Sequence, residues 1–221
     1  MKSKIHENQK TIKIMSTKII TTLALFICTT LFSQTQYEKS MGEAMKLWGE
    51  NKNTEASALF ERIASAEKDN WLPNYYVAMV NASAAFQTKD KEQINALLSK
   101  AQVALDIETA KNPNNVELIV VQCLIHTAWI VYDPMTNGMK LSPVVNGLYT
   151  KATYMAPENP RVMFSKAQFE IGGAKYFGTD TKPLCAQIEK SIDLFAKFKP
   201  ETPFSPSWGL QRAQEAFKDC K

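Results

Sequence analysis

Few side chains in this sequence are of kinds that make or break bonds. Beyond residue 33 the chain holds one histidine, His126, and three cysteines, Cys123, Cys185 and Cys220. His126 stands between Ile125 and Thr127 in an apolar run and has the chemistry of a proton acceptor, yet no acid or nucleophile is fixed beside it by spacing. A hydrogen-bonded core histidine is the simpler account. A small-ligand or enzymatic pocket near His126, Trp129 and Tyr132 is the alternative it leaves open. With no CxxC pair and a single histidine, neither a zinc site nor a thioredoxin-like redox site is suggested. Asp133, Thr136 and Asn137 offer oxygens but lack the spacing of a calcium loop, and Gly172-Gly173 does not fit a phosphate-binding pattern. HExxH, GxSxG, P-loop and dinucleotide signatures are also missing. The expectation is a non-enzyme with no metal and no cofactor.

The formal charge of +4 at pH 7 suggests a basic protein until its distribution is considered. Lys2, Lys4, Lys10, Lys13 and Lys18 face a single acid, Glu7, in the first 33 residues. The rest of the chain has equal numbers of basic and acidic residues, so electrostatic attraction to nucleic acid or anionic membrane is not indicated. The leader itself has three parts. Lysines end at Lys18, an apolar run spans Ile19 to Phe32, and Ser33-Gln34-Thr35-Gln36 is small and polar. This pattern predicts a secretory signal peptide over residues 1–33, cleaved after Ser33. Translation from Met15 would give a more typical signal. Cys28 follows Leu25 at lipoprotein spacing, but Phe26 and Ile27 stand where small residues are preferred. The product is therefore expected to be exported, periplasmic or secreted, with no membrane span once the signal is removed, and with disulfides permitted.

From residue 34 to 221 the pattern is helix after helix, forming one domain. Periodicity, turn residues and prolines predict helices at Tyr37–Glu50, Glu55–Lys68, Leu72–Gln87, Lys91–Lys111 and Val116–Tyr132. Asp133 to Lys140 is expected to be a loop, with a sixth helix opening at Pro143 and ending before Pro157. Arg161–Phe177, Pro183–Phe198 and Ser207–Lys218 complete about nine. Val116 to Tyr132 is too long for a strand and too short and polar for a membrane span. It is expected to be the central buried helix.

Consecutive helix pairs at a period of roughly 35 to 45 residues point to a repeat array. Ala44, Ala56 and Phe60 stand at the small and aromatic packing positions of a tetratricopeptide repeat. Tyr149, Ala152, Pro157 and Asn159 match the end of that repeat's second helix, and Ala167 opens the next pair. The chain resembles the tetratricopeptide-repeat superfamily over most of residues 36 to 200. The resemblance implies an all-α fold, antiparallel pairs stacked as a short, irregular, right-handed solenoid with a C-terminal capping helix. It also implies that the first helix of each pair lines a groove, placing Met41, Met45, Trp48, Tyr75, Met79, Phe164 and Gln168 toward it. Such a groove would be aromatic and methionine-rich, suited to a protein or peptide partner. Packing against neighbouring helices is the competing account of each of these residues.

If the eighth and ninth helices run antiparallel, Cys185 and Cys220 come to the same end of the pair, and a disulfide between them would staple the C-terminal cap. Cys123, inside the central helix, is expected to be a buried free thiol.

Overall fold

A computed structural model describes residues 35–220, so the expected signal segment, with Cys28 and the Ser33 cleavage point, lies outside the described residues. The described residues form helices connected by short turns, save for the longer segment 198–209 before the last helix. The helices are α1 (35–49), α2 (Asn53–Ala66), α3 (Leu72–Ala85), α4 (Lys91–Lys111) and α5 (Val116–Tyr132), then α6 (Pro134–Met155), α7 (Pro160–Phe177), α8 (Lys182–Lys197) and α9 (Leu210–Lys218). The chain divides into two compact units between Glu43 and Ala44, a point that falls within α1. The packing described below is that of the second unit.

Local chemistry sets most of the boundaries. The side chains of Asp90, Asn115 and Asn159 accept hydrogen bonds from backbone N–H groups in the first turns of α4, α5 and α7, satisfying donors that have no partner within the helix. Prolines occupy the first turns of α3, α6, α7 and α8, where a missing N–H costs nothing. Gly178 closes α7 in the left-handed region at φ 67°.

The expected loop at Asp133 to Lys140 is a correction: these residues are the first two turns of α6. Asp133 caps the helix by accepting from Thr136 N–H, and Pro134 presets the first turn. Asn137 donates its amide to the Trp129 carbonyl at 2.8 Å, tying the start of α6 to the end of α5. Turn-forming residue types are here used as a cap and a bracket, and the helix runs on through Pro143 at the loss of one backbone hydrogen bond.

α5 packs against four helices, α3, α4, α6 and α7, and is the centre of the stack. Its Ile119, Val120 and Cys123 meet Val145, Tyr149 and Ala152 of α6 and Val162 of α7. The alanines at 44, 56, 78, 152 and 167 are all fully buried, which lets neighbouring helices approach closely. At one end of the stack a buried ion pair joins α5 to α7. Arg161 donates through Nε and Nη2 to the two Glu117 carboxylate oxygens, both at 2.7 Å, while its guanidinium lies 4.2 Å above the Phe198 ring. Asn159 donates to the same carboxylate.

The C-terminal segment folds back on the stack. Tyr76 donates its hydroxyl to the Phe204 carbonyl at 2.8 Å, and the Trp208 indole donates to the Tyr75 hydroxyl at 2.7 Å. Gly209, at φ 121°, turns the chain into α9 where a Cβ would collide with the Phe195 ring. A disulfide joins Cys185, in the first turn of α8, to Cys220 just beyond α9, with Cα atoms 5.9 Å apart. No helix among the described residues is long and apolar enough to cross a membrane.

Candidate functional site

α3 packs on α5 and α5 on α7, so the first helices of successive pairs form one layer. A cavity of about 180 Å³ opens on that layer. α3 contributes Met79, with Phe86 at its C-terminal cap. α5 contributes Val120, Leu124 and Thr127, α6 contributes Tyr149, and α7 contributes Phe164, Ser165, Gln168 and Phe169. Trp208 and Arg212, from the returning C-terminal segment, complete the wall. Each helix presents residues one turn apart: Val120, Leu124 and Thr127 share one face of α5, and Phe164 and Gln168 share one face of α7.

Three of the residues expected to line a groove, Met79, Phe164 and Gln168, therefore meet on one cavity wall. The other four do not line it. Met41 and Tyr75 are fully buried, Tyr75 beneath Trp208, while Met45 and Trp48 are half-buried, Trp48 edge-on to Tyr76 at 6.0 Å. His126, Trp129 and Tyr132 do not line this cavity either. His126 Nε2 accepts from the Gln122 amide at 3.1 Å, and Gln122 is paired in both directions with Gln102 of α4. Trp129 and Tyr132 lie edge to face at 6.0 Å and pack with Leu97 in a separate cluster.

The chemistry around the cavity is quiet. Burial raises the pKa of Tyr149 well above the usual phenol range and pushes the Cys123 thiol up to about 12, leaving both as neutral packing groups. Burial lowers the pKa of His126, consistent with a neutral ring accepting from Gln122. Among the described residues no group of three or more His, Cys, Asp and Glu side chains could hold a metal ion. Aromatic and aliphatic side chains make up most of the cavity wall.

Sequence reasoning missed Phe86, Val120, Leu124, Thr127, Ser165 and Phe169, though each is one helical turn or one residue from a residue it named. Trp208 and Arg212 gave no such signal, because their place depends on the fold-back of the chain after the prolines of residues 199–206.

Comparison with solved structures places this architecture. The HusA haemophore from Porphyromonas gingivalis superposes with a TM-score of 0.66 at 22% identity, covering 84% of this chain and 92% of that one. A thermophilic TPR protein from Thermus thermophilus superposes with a TM-score of 0.55 at 10% identity, covering 83% and 98%. The fold is tetratricopeptide-repeat-like. No family model matches the chain, and no curated protein matches it either. At these identities the likeness is one of fold.

Proposed function

We propose that this TPR-like protein is a non-enzymatic binder that takes an apolar, planar small ligand of the tetrapyrrole class into the cavity between α3, α5, α7 and the C-terminal segment. The observation that carries the reading is the aromatic lining, with Phe164, Phe169, Tyr149, Trp208 and Phe86 around a mostly apolar space. The likeness to a haemophore supports the ligand class. The fit is partial. At about 180 Å³ the cavity is smaller than the ~300–1,000 Å³ of typical small-molecule sites, so a ring inserts one edge and leaves the remainder along the rim near Phe86. Among the described residues no histidine or cysteine lines the wall, and Met79 is 3% exposed. The ligand is cargo held by ring contact, and an iron centre is not required for its capture. The protein acts outside the cytoplasm, in the periplasm or beyond, as the leader suggests.

Titrating the mature protein with haem and with metal-free protoporphyrin IX tests this. Both should bind, with dissociation constants within a few-fold of each other, and Gln168→Trp should remove both by filling the cavity. Failure of both to bind, or capture undisturbed by Gln168→Trp, would overturn the proposal.

A protein or peptide partner is the second reading. It is favoured by exposed apolar side chains at the junction of α5 and α6, where Val131, Met135 and Met139 are 60%, 83% and 91% accessible.

A further inference from the structure

Among the described residues, Arg212 is the one charged side chain on the wall of the aromatic cavity. A second cavity, of about 350 Å³, shares Phe164, Gln168 and Arg212 with the first and adds Ile171, Lys175, Glu215 and Asp219. The two spaces are therefore neighbours, one mostly apolar and one with charged walls, and Arg212 stands on the boundary between them. Glu215, the nearest acid along α9, accepts a hydrogen bond from the Gln211 amide at 2.9 Å. Among the described residues, Arg212 makes no ion pair with a protein carboxylate, whereas Arg161 is engaged with Glu117. Its position is fixed from behind. Ala213, Phe217 and Leu210 of α9 pack with Ile188 and Phe195 of α8, and the disulfide to Cys185 closes the far end of the helix.

An uncommitted guanidinium at the mouth of an apolar cavity is matched by a carboxylate, which it engages through two parallel N–H donors. A cationic ligand would meet repulsion there. We infer that Arg212 is a specificity-determining residue that selects ligands with a carboxylate at one edge of an apolar body. This inference rests on the cavity being the binding site. Lys175 lies on the wall of the second space and suits a second anionic group, while Glu215 and Asp219 oppose one and limit how far an acidic substituent can extend. The selection is therefore for an edge carboxylate near α7 and the first turn of α9. Polyanions are disfavoured.

The test compares protoporphyrin IX, a dicarboxylic acid, with its dimethyl ester, which has the same ring and no charge. Dissociation constants are measured for the unmodified protein and for Arg212→Gln, Arg212→Lys and Glu215→Gln, at low and high salt. The unmodified protein should prefer the acid by about tenfold, a preference that shrinks with salt. Arg212→Gln should bring the acid-to-ester ratio close to one, Arg212→Lys should retain part of it, and Glu215→Gln should increase it. Because Arg212 is exposed, these variants should fold normally, which unchanged melting temperatures would verify. An acid preference that survives Arg212→Gln, or no preference in the unmodified protein, overturns the inference while leaving the cavity as a porphyrin site. If neither porphyrin binds, the cavity reading fails and takes this inference with it.

Discussion

The stack has two concave regions that differ in size and in aromatic lining. Over the outer side of α3, between α2 and α4, runs a furrow with spaces of about 760 and 770 Å³. The first mixes Val77, Val103, Ala104 and Ile107 with lysines and serines, the second is lined largely by asparagine, glutamine, serine and threonine, and neither has an aromatic side chain on its wall. A Lys100 to Glu61 bridge of 2.8 Å crosses it. The inner cavity is less than a quarter of either volume, yet it is walled by five aromatic side chains and reached by Arg212, which has no carboxylate partner among the described residues. Size favours the furrow and lining favours the cavity. Burying apolar ligand surface gains roughly 25 cal/mol for each Å² in either region, but only the cavity offers aromatic rings whose faces and edges match a flat ligand. Aromatic lining is the ground on which the cavity, rather than the furrow, is proposed as the site.

The largest effect expected from this comparison is on binding. Gln168→Trp, filling the inner cavity, should weaken porphyrin capture by about a hundredfold or more, while Ala96→Trp in the furrow should leave it unchanged. Spectroscopic titration reads both, and equal losses would erase the distinction between the two regions. The ion pairs should separate them next. Glu117→Ala strands the buried Arg161 and should cost about 3–5 kcal/mol in urea unfolding, whereas Lys100→Ala, breaking the partly exposed furrow pair, should cost less than about 1 kcal/mol. Replacing Cys185 and Cys220 by serine removes a crosslink spanning 35 residues and should lower stability by about 2–4 kcal/mol, with ligand affinity falling as α9 loosens.

Smaller effects concern the buried titratable groups. Cys123, with its thiol pushed up to about 12, should resist alkylation at pH 8 in the native protein and react fully once unfolded. Burial depresses the His126 pKa below its ordinary value of 6.5, so the unfolded chain binds more protons on acidification. Stability should decline as pH falls through 6.5 toward the folded value and then level off, and His126→Gln should reduce that decline. A titration in which His126→Gln deepens the decline would contradict this sign.

Much of the stack was legible in the sequence because its helices announce their own ends. α4 and α5 occupy the residues expected from their apolar spacing and the Asn112-Pro113-Asn114-Asn115 break. The buried alanines at 44, 56, 152 and 167 were readable as packing positions because only small side chains let helices come so close. The start of α6 was not legible. Asp133, Pro134, Asn137 and Gly138 have the composition of a turn, and only the Asn137 to Trp129 bond, a tertiary contact, shows them serving a helix. The site was legible in part. Counting from the small positions of α3 and α7 reaches Met79, Phe164 and Gln168. The same count places Tyr75 on the groove, because nothing local reveals that Trp208 covers it from 133 residues away. Arg212 is hidden for the same reason.

Trp208 makes the central claim open to direct observation, since its side chain lines the cavity and its indole N–H, held by the Tyr75 hydroxyl, gives a resolved signal in a nitrogen–proton correlation spectrum. Titration with protoporphyrin IX should shift that signal together with the backbone amides of Thr127, Ser165, Gln168 and Phe169, leaving Ser99, Lys100 and Val103 in the furrow unmoved. Shifts centred on the furrow, or on His126, Trp129 and Tyr132 with Trp208 unchanged, would contradict the assignment.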